Sequence, residues 1–362
     1  MSLEQGKIGN SQLILLMVAF ILGTSIVLVP GNQANHDAWI AIILGLIMGI
    51  FFALIFIFLS NRFKGKNLIQ INDIVYGPYF GKLVSVSFLW YLFHTGSLGT
   101  NAFKYFFSAT ILPQTPDIVL MGLLILICSY AVKNGIEVIA RCGFILVLAA
   151  IVSFLGSSLF LIKDFQISNF FPILETPVKK LLLAAYGASI FPFAEISVFT
   201  MIIPYLNSKR NVIFPVLTAL LIGGLFLIGM SIRNIGVLGP MNNIYVYPTF
   251  AADRLINVGN LLTRLEILTV IGFLTLGLIK ISTVLYITVL GSAQLLGLRT
   301  YRPLILPIGI LMVIVALFNF KNTTDDLAFA QKIYPIYAFP FVVGIPVLTL
   351  IIAMIRGLPK NN

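Results

Sequence analysis

The chain has 362 residues, 59% of them hydrophobic and only 10% charged, with a mean hydropathy of +1.04. Soluble domains carry roughly 25% charged residues, so the composition excludes a water-soluble globule and points to an integral membrane protein. The formal charge of +11 would suit a nucleic-acid partner, but the basic residues fall in connections between apolar runs, where topology explains them and no nucleic acid is implied.

A spanning helix needs about 20 mostly apolar residues, and such runs follow one another almost continuously. The alternation of a transmembrane barrel is absent, which leaves helices as the spanning structure. The first ten residues are polar, the first apolar run is too long for a signal-peptide core, and no small-residue cleavage site follows it. It therefore reads as a retained helix. About ten spans follow, near 11–30, 38–60, 83–108, 116–133, 141–163, 181–203, 212–238, 262–292, 302–320 and 334–356. With the N-terminus cytoplasmic, that side receives Lys7, Arg62, Lys82, Lys133, Arg141, Lys209, Arg210, Arg302, Arg356 and Lys360. The other side receives most of the acids: Asp37, Asp117, Asp164, Glu175, Asp253, Asp325 and Asp326. This asymmetry obeys the positive-inside rule and predicts both termini to be cytoplasmic, as an even span number requires.

Two segments are not simple spans. Residues 66–82 predict a short cytoplasmic helix lying at the interface. Residues 239–262 form the longest outer connection, and within it Phe250, Leu255 and Ile256 recur at helical spacing. That piece reads equally as a lid over a cavity or as an ordinary surface helix.

Breaks in two helices carry the functional argument. In lipid an unpaired backbone group costs several kcal/mol, so interruption is tolerated only where protein or a water-lined cavity satisfies the freed groups. The first span contains Gly23-Thr24-Ser25 and then Pro30-Gly31; the sixth contains Gly187, Ala188 and Ser189, then Phe191, Pro192 and the acid Glu195. Small residues alone often mark close helix packing. First and sixth, however, are matching positions if ten helices form two sets of five. Five being odd, the second set enters from the opposite side, giving an inverted repeat (about 11–163 and 181–356) within a single transporter-like unit over 1–362. Matched interruptions of this kind point to a midplane substrate site, where freed amides favour an anion and freed carbonyls a cation.

Charged residues inside spans usually face the interior and pair or mark pathways. Glu195 and Lys280 are such residues, readable as a proton carrier and substrate contact or as a buried pair that fixes packing. Ser282 and Thr283 follow Lys280 and offer hydroxyls to Na⁺, but the ammonium competes for that place. In the third span Tyr91, His94, Thr95 and Ser97 can line the cavity, His94 equally being an interhelical hydrogen bonder. Cys128 and Cys142 form no metal or redox motif. No nucleotide loop or nucleophile–base set is present, so neither an enzyme nor a cofactor is expected.

Several strings together are similar to one family: ILGTSIVLVPG with DAWIA, IFPFAEISVFTMIIPYLN, YPTFAADRLINVGNLLTRLEIL and GLIKISTVLY. In order and over nearly the whole chain they resemble the B subunits of nutrient germinant receptors of bacterial spores, endospore germination permeases within the amino acid–polyamine–organocation superfamily. The resemblance implies a five-plus-five LeuT-type fold with helices 1 and 6 broken. It implies a membrane subunit that recognises a small germinant, usually an amino acid, together with A and C subunits in the inner membrane of the spore. By that analogy Gly23, Thr24, Ser25 and residues 187–192 line the pocket, with Tyr91, His94, Thr95, Lys280 and Thr283 as the other walls. Arg254, Arg264 and Glu266 match the family's outer loop and read as a lid or structural ion network. The stretch IGFLTLGLIK lacks the tryptophan that members often carry before the Lys, so the identity of the ligand does not carry over. A proton-coupled amino acid transporter is the alternative reading.

Overall fold

A computed structural model describes residues 3–4, 6–207, 212–257 and 264–359. Lys209, Arg210, Lys360 and residues 258–262 of the outer connection lie outside the described residues. The described residues form α-helices joined by short 3₁₀ and π turns, with one isolated bridge between Ile8 and Leu206 and no strand.

In chain order the helices are α1 (Asn10–Leu22), α2 (Ala38–Arg62), α3 (Leu68–Tyr76), α4 (Phe80–Thr110), α5 (Asp117–Lys133), α6 (Ile136–Leu161) and α7 (Val178–Ala188). Then follow α8 (Ile213–Leu238), α9 (Pro248–Arg254), α10 (Ile267–Leu295), α11 (Ile305–Asn319), α12 (Thr323–Ala328), α13 (Tyr334–Phe339) and α14 (Ile345–Ile355). Seven helical stretches among the described residues are long and apolar enough to cross a bilayer. The chain is a multi-pass integral membrane protein. The first and fifth-from-last of the ten spans are not continuous helices: α1 ends at Leu22, and α7 ends at Ala188. The tenth runs from Thr323, well before the expected 334, because π turns at Phe329–Ile333 and Pro340–Gly344 join α12, α13 and α14 into one rod.

The cause of each feature is local. At the start of α3 the Asn67 side chain accepts from Gln70 N at 3.0 Å while Gln70 returns the bond at 3.1 Å, a reciprocal cap that satisfies two orphan amides. One face of α3 (Leu68, Ile69, Ile71, Val75) is buried and Tyr79 beyond it is exposed. The predicted interfacial helix is thus Leu68–Tyr76, residues 80–82 belonging to the third span. On α2, Gly45 and Gly49 are four apart, and a Cβ on either would sit 2.7 Å from Ala188 Cβ or 2.5 Å from Phe193 Cβ. This small-residue stripe lets α2 pack directly on the broken part of the sixth span.

Around these breaks α10 packs on α1, α4, α5 and α6, and α1 packs on α8. The N-terminal segment crosses the near side: Ile8 N donates to Tyr205 O and Asn207 N to Ile8 O, both at 3.0 Å. Glu4 accepts from the hydroxyls of Tyr286 and Tyr301 at 3.2 and 3.1 Å. On the far side Asp37 accepts from Leu174 N at 2.9 Å and Thr176 N at 3.0 Å, tying the loop before α2 to the segment before α7.

Candidate functional site

The break in the first span is a run of turns over residues 23–27, in which Ile26 N bonds Leu22 O at 3.1 Å and Leu28 N bonds Thr24 O at 2.8 Å. The sixth span breaks more sharply. After Ala188 a π turn, Ser189–Phe193, contains Pro192, which cannot donate a helix bond, and Phe191 has extended backbone (φ −113°, ψ 112°). A 3₁₀ segment, Ala194–Met201, then carries Glu195 inward.

Between the breaks lies a small cavity of about 40 Å³. Its polar wall is one network. Lys280 Nζ, from the middle of α10, donates to Glu195 Oε2 at 2.8 Å and to Thr24 Oγ1 at 3.1 Å. Tyr334 on α13 donates to the other Glu195 oxygen, and Tyr91 on α4 donates in turn to the Tyr334 hydroxyl at 3.1 Å. The ammonium also faces the rings of Phe20 and Phe191 at 4.8 and 4.9 Å. Glu195 and Lys280 are 1% and 4% exposed, so desolvation is offset only because each charge has its partner and further hydrogen bonds. Gly23 makes this geometry possible: a Cβ there would lie 2.8 Å from Lys280 Cβ and 2.9 Å from Cδ, so only glycine lets the lysine stem pass the break.

Of the residues expected at the site, Thr24, Thr95, Phe191, Glu195 and Lys280 line this cavity. Gly187 and Phe191 line a second space of about 30 Å³, which reaches the turn at Pro30–Gln33 and shares Leu28, Phe191 and Ala330 with the first. The remaining expected residues lie one layer back. Ser25 bonds Ile21 O at 2.7 Å, Ser189 bonds Tyr186 O at 2.7 Å and Thr283 bonds Ile279 O at 2.7 Å, each folded onto its own helix. Ala188 packs on Gly45, and Pro192 shapes the turn. His94 is stacked on Trp90 and shares a hydrogen bond with Tyr337 at 3.0 Å, on the seam between α4 and α13. Missed from sequence were Asp326, Phe329 and Tyr334, all on the tenth span, and Leu98, Gly99 and Ala102 on α4. The early start of the tenth span was legible in Asn322, whose side chain caps α12 by accepting from Asp325 N at 2.9 Å.

The outer connection holds a second buried network. Arg233 on α8 lies 3.3 Å from Asp253 on α9 and donates to Ser157 on α6 at 2.8 Å. Thr269 on α10 donates to Asp253, and Asn234 donates to Thr249 at 3.0 Å. The helix read as lid or surface helix is α9, and its Asp253 is held by Arg233 and Thr269. Arg264 pairs with Glu266 at 3.4 Å at the start of α10, with Arg264 exposed.

Comparison with known proteins agrees with this architecture. A family model for spore germination proteins matches residues 7–324. Spore germination protein KB of Bacillus subtilis is 26% identical over 357 residues, 97% of this chain and 96% of that protein. Spore germination protein XB of Bacillus anthracis is 25% identical over 342 residues, 91% of each chain. Among solved structures, a Na⁺-coupled sialic acid symporter in a substrate-bound outward-open state superposes with a TM-score of 0.66 at 12% identity, covering 96% of this chain and 89% of its own. MhsT in complex with L-phenylalanine gives 0.66 at 15% identity, covering 99% and 91%. A LeuT-type transporter fold with first and sixth helices broken, and a sequence matched along most of its length, place this chain in the spore germination protein family.

Proposed function

We propose that the chain is the membrane subunit of a nutrient germinant receptor. A small germinant, in first place an amino acid, binds in the cavity between the two breaks, and A and C subunits pass the event on in the inner membrane of the spore. Both termini face the cytoplasm, and the chain acts as one unit built of repeats at about 11–163 and 181–356. The observation that carries this reading is a cavity at two helix breaks whose polar wall, Thr24–Lys280–Glu195–Tyr334, joins four separate elements. A ligand seated there touches the first, sixth, eighth and tenth spans together, and so can favour one arrangement of them over another by differential affinity.

Removal of this chain from spores tests the role, with germination followed on amino acids and sugars. The expected outcome is loss of the response to at least one nutrient, restored by the wild-type chain but not by Gly23→Val. Retention of every response would overturn the reading. The transporter alternative is favoured by the fold it shares with a Na⁺-coupled symporter. Gradient-driven accumulation of an amino acid in proteoliposomes holding this chain alone would establish it instead.

A further inference from the structure

Charge does not balance on the cavity wall. Among the lining residues there is one cation, Lys280, and there are two carboxylates, Glu195 and Asp326. Lys280 is matched to Glu195 at 2.8 Å. Asp326, only 4% exposed, has no cation within 4 Å among the described residues and accepts one long hydrogen bond, from Asn101 Nδ2 at 3.5 Å. Lys104, on the same helix as Asn101, is attracted to it but makes its ion pair with Asp117 at 3.6 Å. A buried carboxylate without a partner is costly, and this one stands at the wall of an empty space. The same cavity is lined by the aromatic residues Phe329, Tyr334 and Phe191. A carboxylate and aromatic rings around one space are a setting that holds an organic ammonium. A bare metal cation asks for several oxygens at once, yet Thr24, Glu195 and Tyr334 are already engaged in the Lys280 network.

We propose that Asp326 is the ammonium-binding residue of this cavity, which therefore takes small molecules bearing a primary amine. This rests on reading the cavity as the germinant site and adds the chemical group that the site demands. Among the described lining residues the single cation is already matched to Glu195, so the ligand's amine is the essential group and its carboxylate the secondary one.

The test uses the purified full-length chain in detergent and reads the shift of its unfolding temperature. The probes are L-alanine, L-valine, L-leucine and L-phenylalanine, their N-acetyl forms, the corresponding decarboxylated amines, glucose, NaCl and KCl. The expected result is stabilisation by at least one amino acid and its amine, none by its N-acetyl form, and a half-saturating concentration raised at least about tenfold in Asp326→Asn. The exposed neighbour Asp325→Asn leaves it unchanged. Equal stabilisation by amino acid and N-acetyl form overturns the proposal on wild-type protein alone, whether or not Asp326→Asn folds. Glucose acting alone, with the carboxylate indifferent, overturns it and leaves the receptor reading standing. Stabilisation by NaCl or KCl alone that vanishes in Asp326→Asn assigns the carboxylate to an inorganic cation and likewise overturns it. Silence from the whole panel removes amine binding together with the germinant site on which it rests.

Discussion

Among the described residues, two buried ion pairs, Arg233–Asp253 and Lys280–Glu195, are of similar make and different setting. Arg233–Asp253 at 3.3 Å joins α8 to α9; Arg233 also donates to Ser157 and Asn234, and Thr269 donates to Asp253. Lys280–Glu195 at 2.8 Å joins α10 to the broken sixth span, but one side of it borders an empty space with a further carboxylate across the way. The first is a clamp whose cation and carboxylate are held by side chains of α6, α8 and α10. The second has its own charges matched and still leaves the cavity with a surplus. A buried pair alone says little about function; what distinguishes the two is the second carboxylate, Asp326, on the cavity wall that Lys280 and Glu195 share.

The largest effect expected is on the clamp. Arg233→Met leaves Asp253 buried without its cation and destabilises the protein by about 3–5 kcal/mol, seen as a lower unfolding temperature in detergent. Adding Asp253→Leu recovers most of that loss, since an apolar pair of similar volume removes the uncompensated charge. Lys280→Met alone costs stability on the same scale, and the double change with Glu195→Gln again recovers it. Germination response, however, stays lost in the double variant. A double variant that restored both would reduce the second pair to packing and erase the contrast.

Smaller changes sharpen the same comparison. Tyr334→Phe removes the hydroxyl that Glu195 accepts from and that Tyr91 donates to, a loss of about 1.5–3 kcal/mol for a bond to a charged group. Gly23→Ala drives a methyl into the Lys280 stem and costs about 1–3 kcal/mol by overpacking. Gly187→Ala, by contrast, meets only Pro335 Cγ at 3.8 Å and is neutral or stabilising by up to about 1 kcal/mol, since alanine suits a helix better. Equal losses from the two glycine variants, in unfolding temperature, would contradict the geometry described for the two breaks.

Much of this was readable from the chain. Gly23-Thr24-Ser25 and Gly187 to Pro192 mark the two breaks because glycine and proline interrupt helices for backbone reasons that do not depend on neighbours. Lys280 and Glu195 stood out because a charge within an apolar run needs a partner wherever it lies. Asp326 was different. It follows the polar run KNTTD and so reads as an outer-loop acid, whereas the tenth span begins before it and turns it inward. Of the third-span residues expected on the cavity wall, Thr95 lines it beside Leu98 and Gly99, while Tyr91 reaches it through Tyr334 and His94 bonds Tyr337. The Cys128 thiol, unassigned by motif, is simply buried against Leu278 O.

Sequence by itself determined the membrane class, the order of the spans, the two broken helices and the charged pair between them. The tertiary structure decided which face of each helix meets the cavity, and hence that Asp326, Phe329 and Tyr334 belong to it. The reason is the solvent. In water, the apolar stripe of a helix identifies its inward face. In a bilayer, lipid and protein interior are equally apolar, so hydrophobicity marks both faces alike. Only the packed arrangement tells them apart.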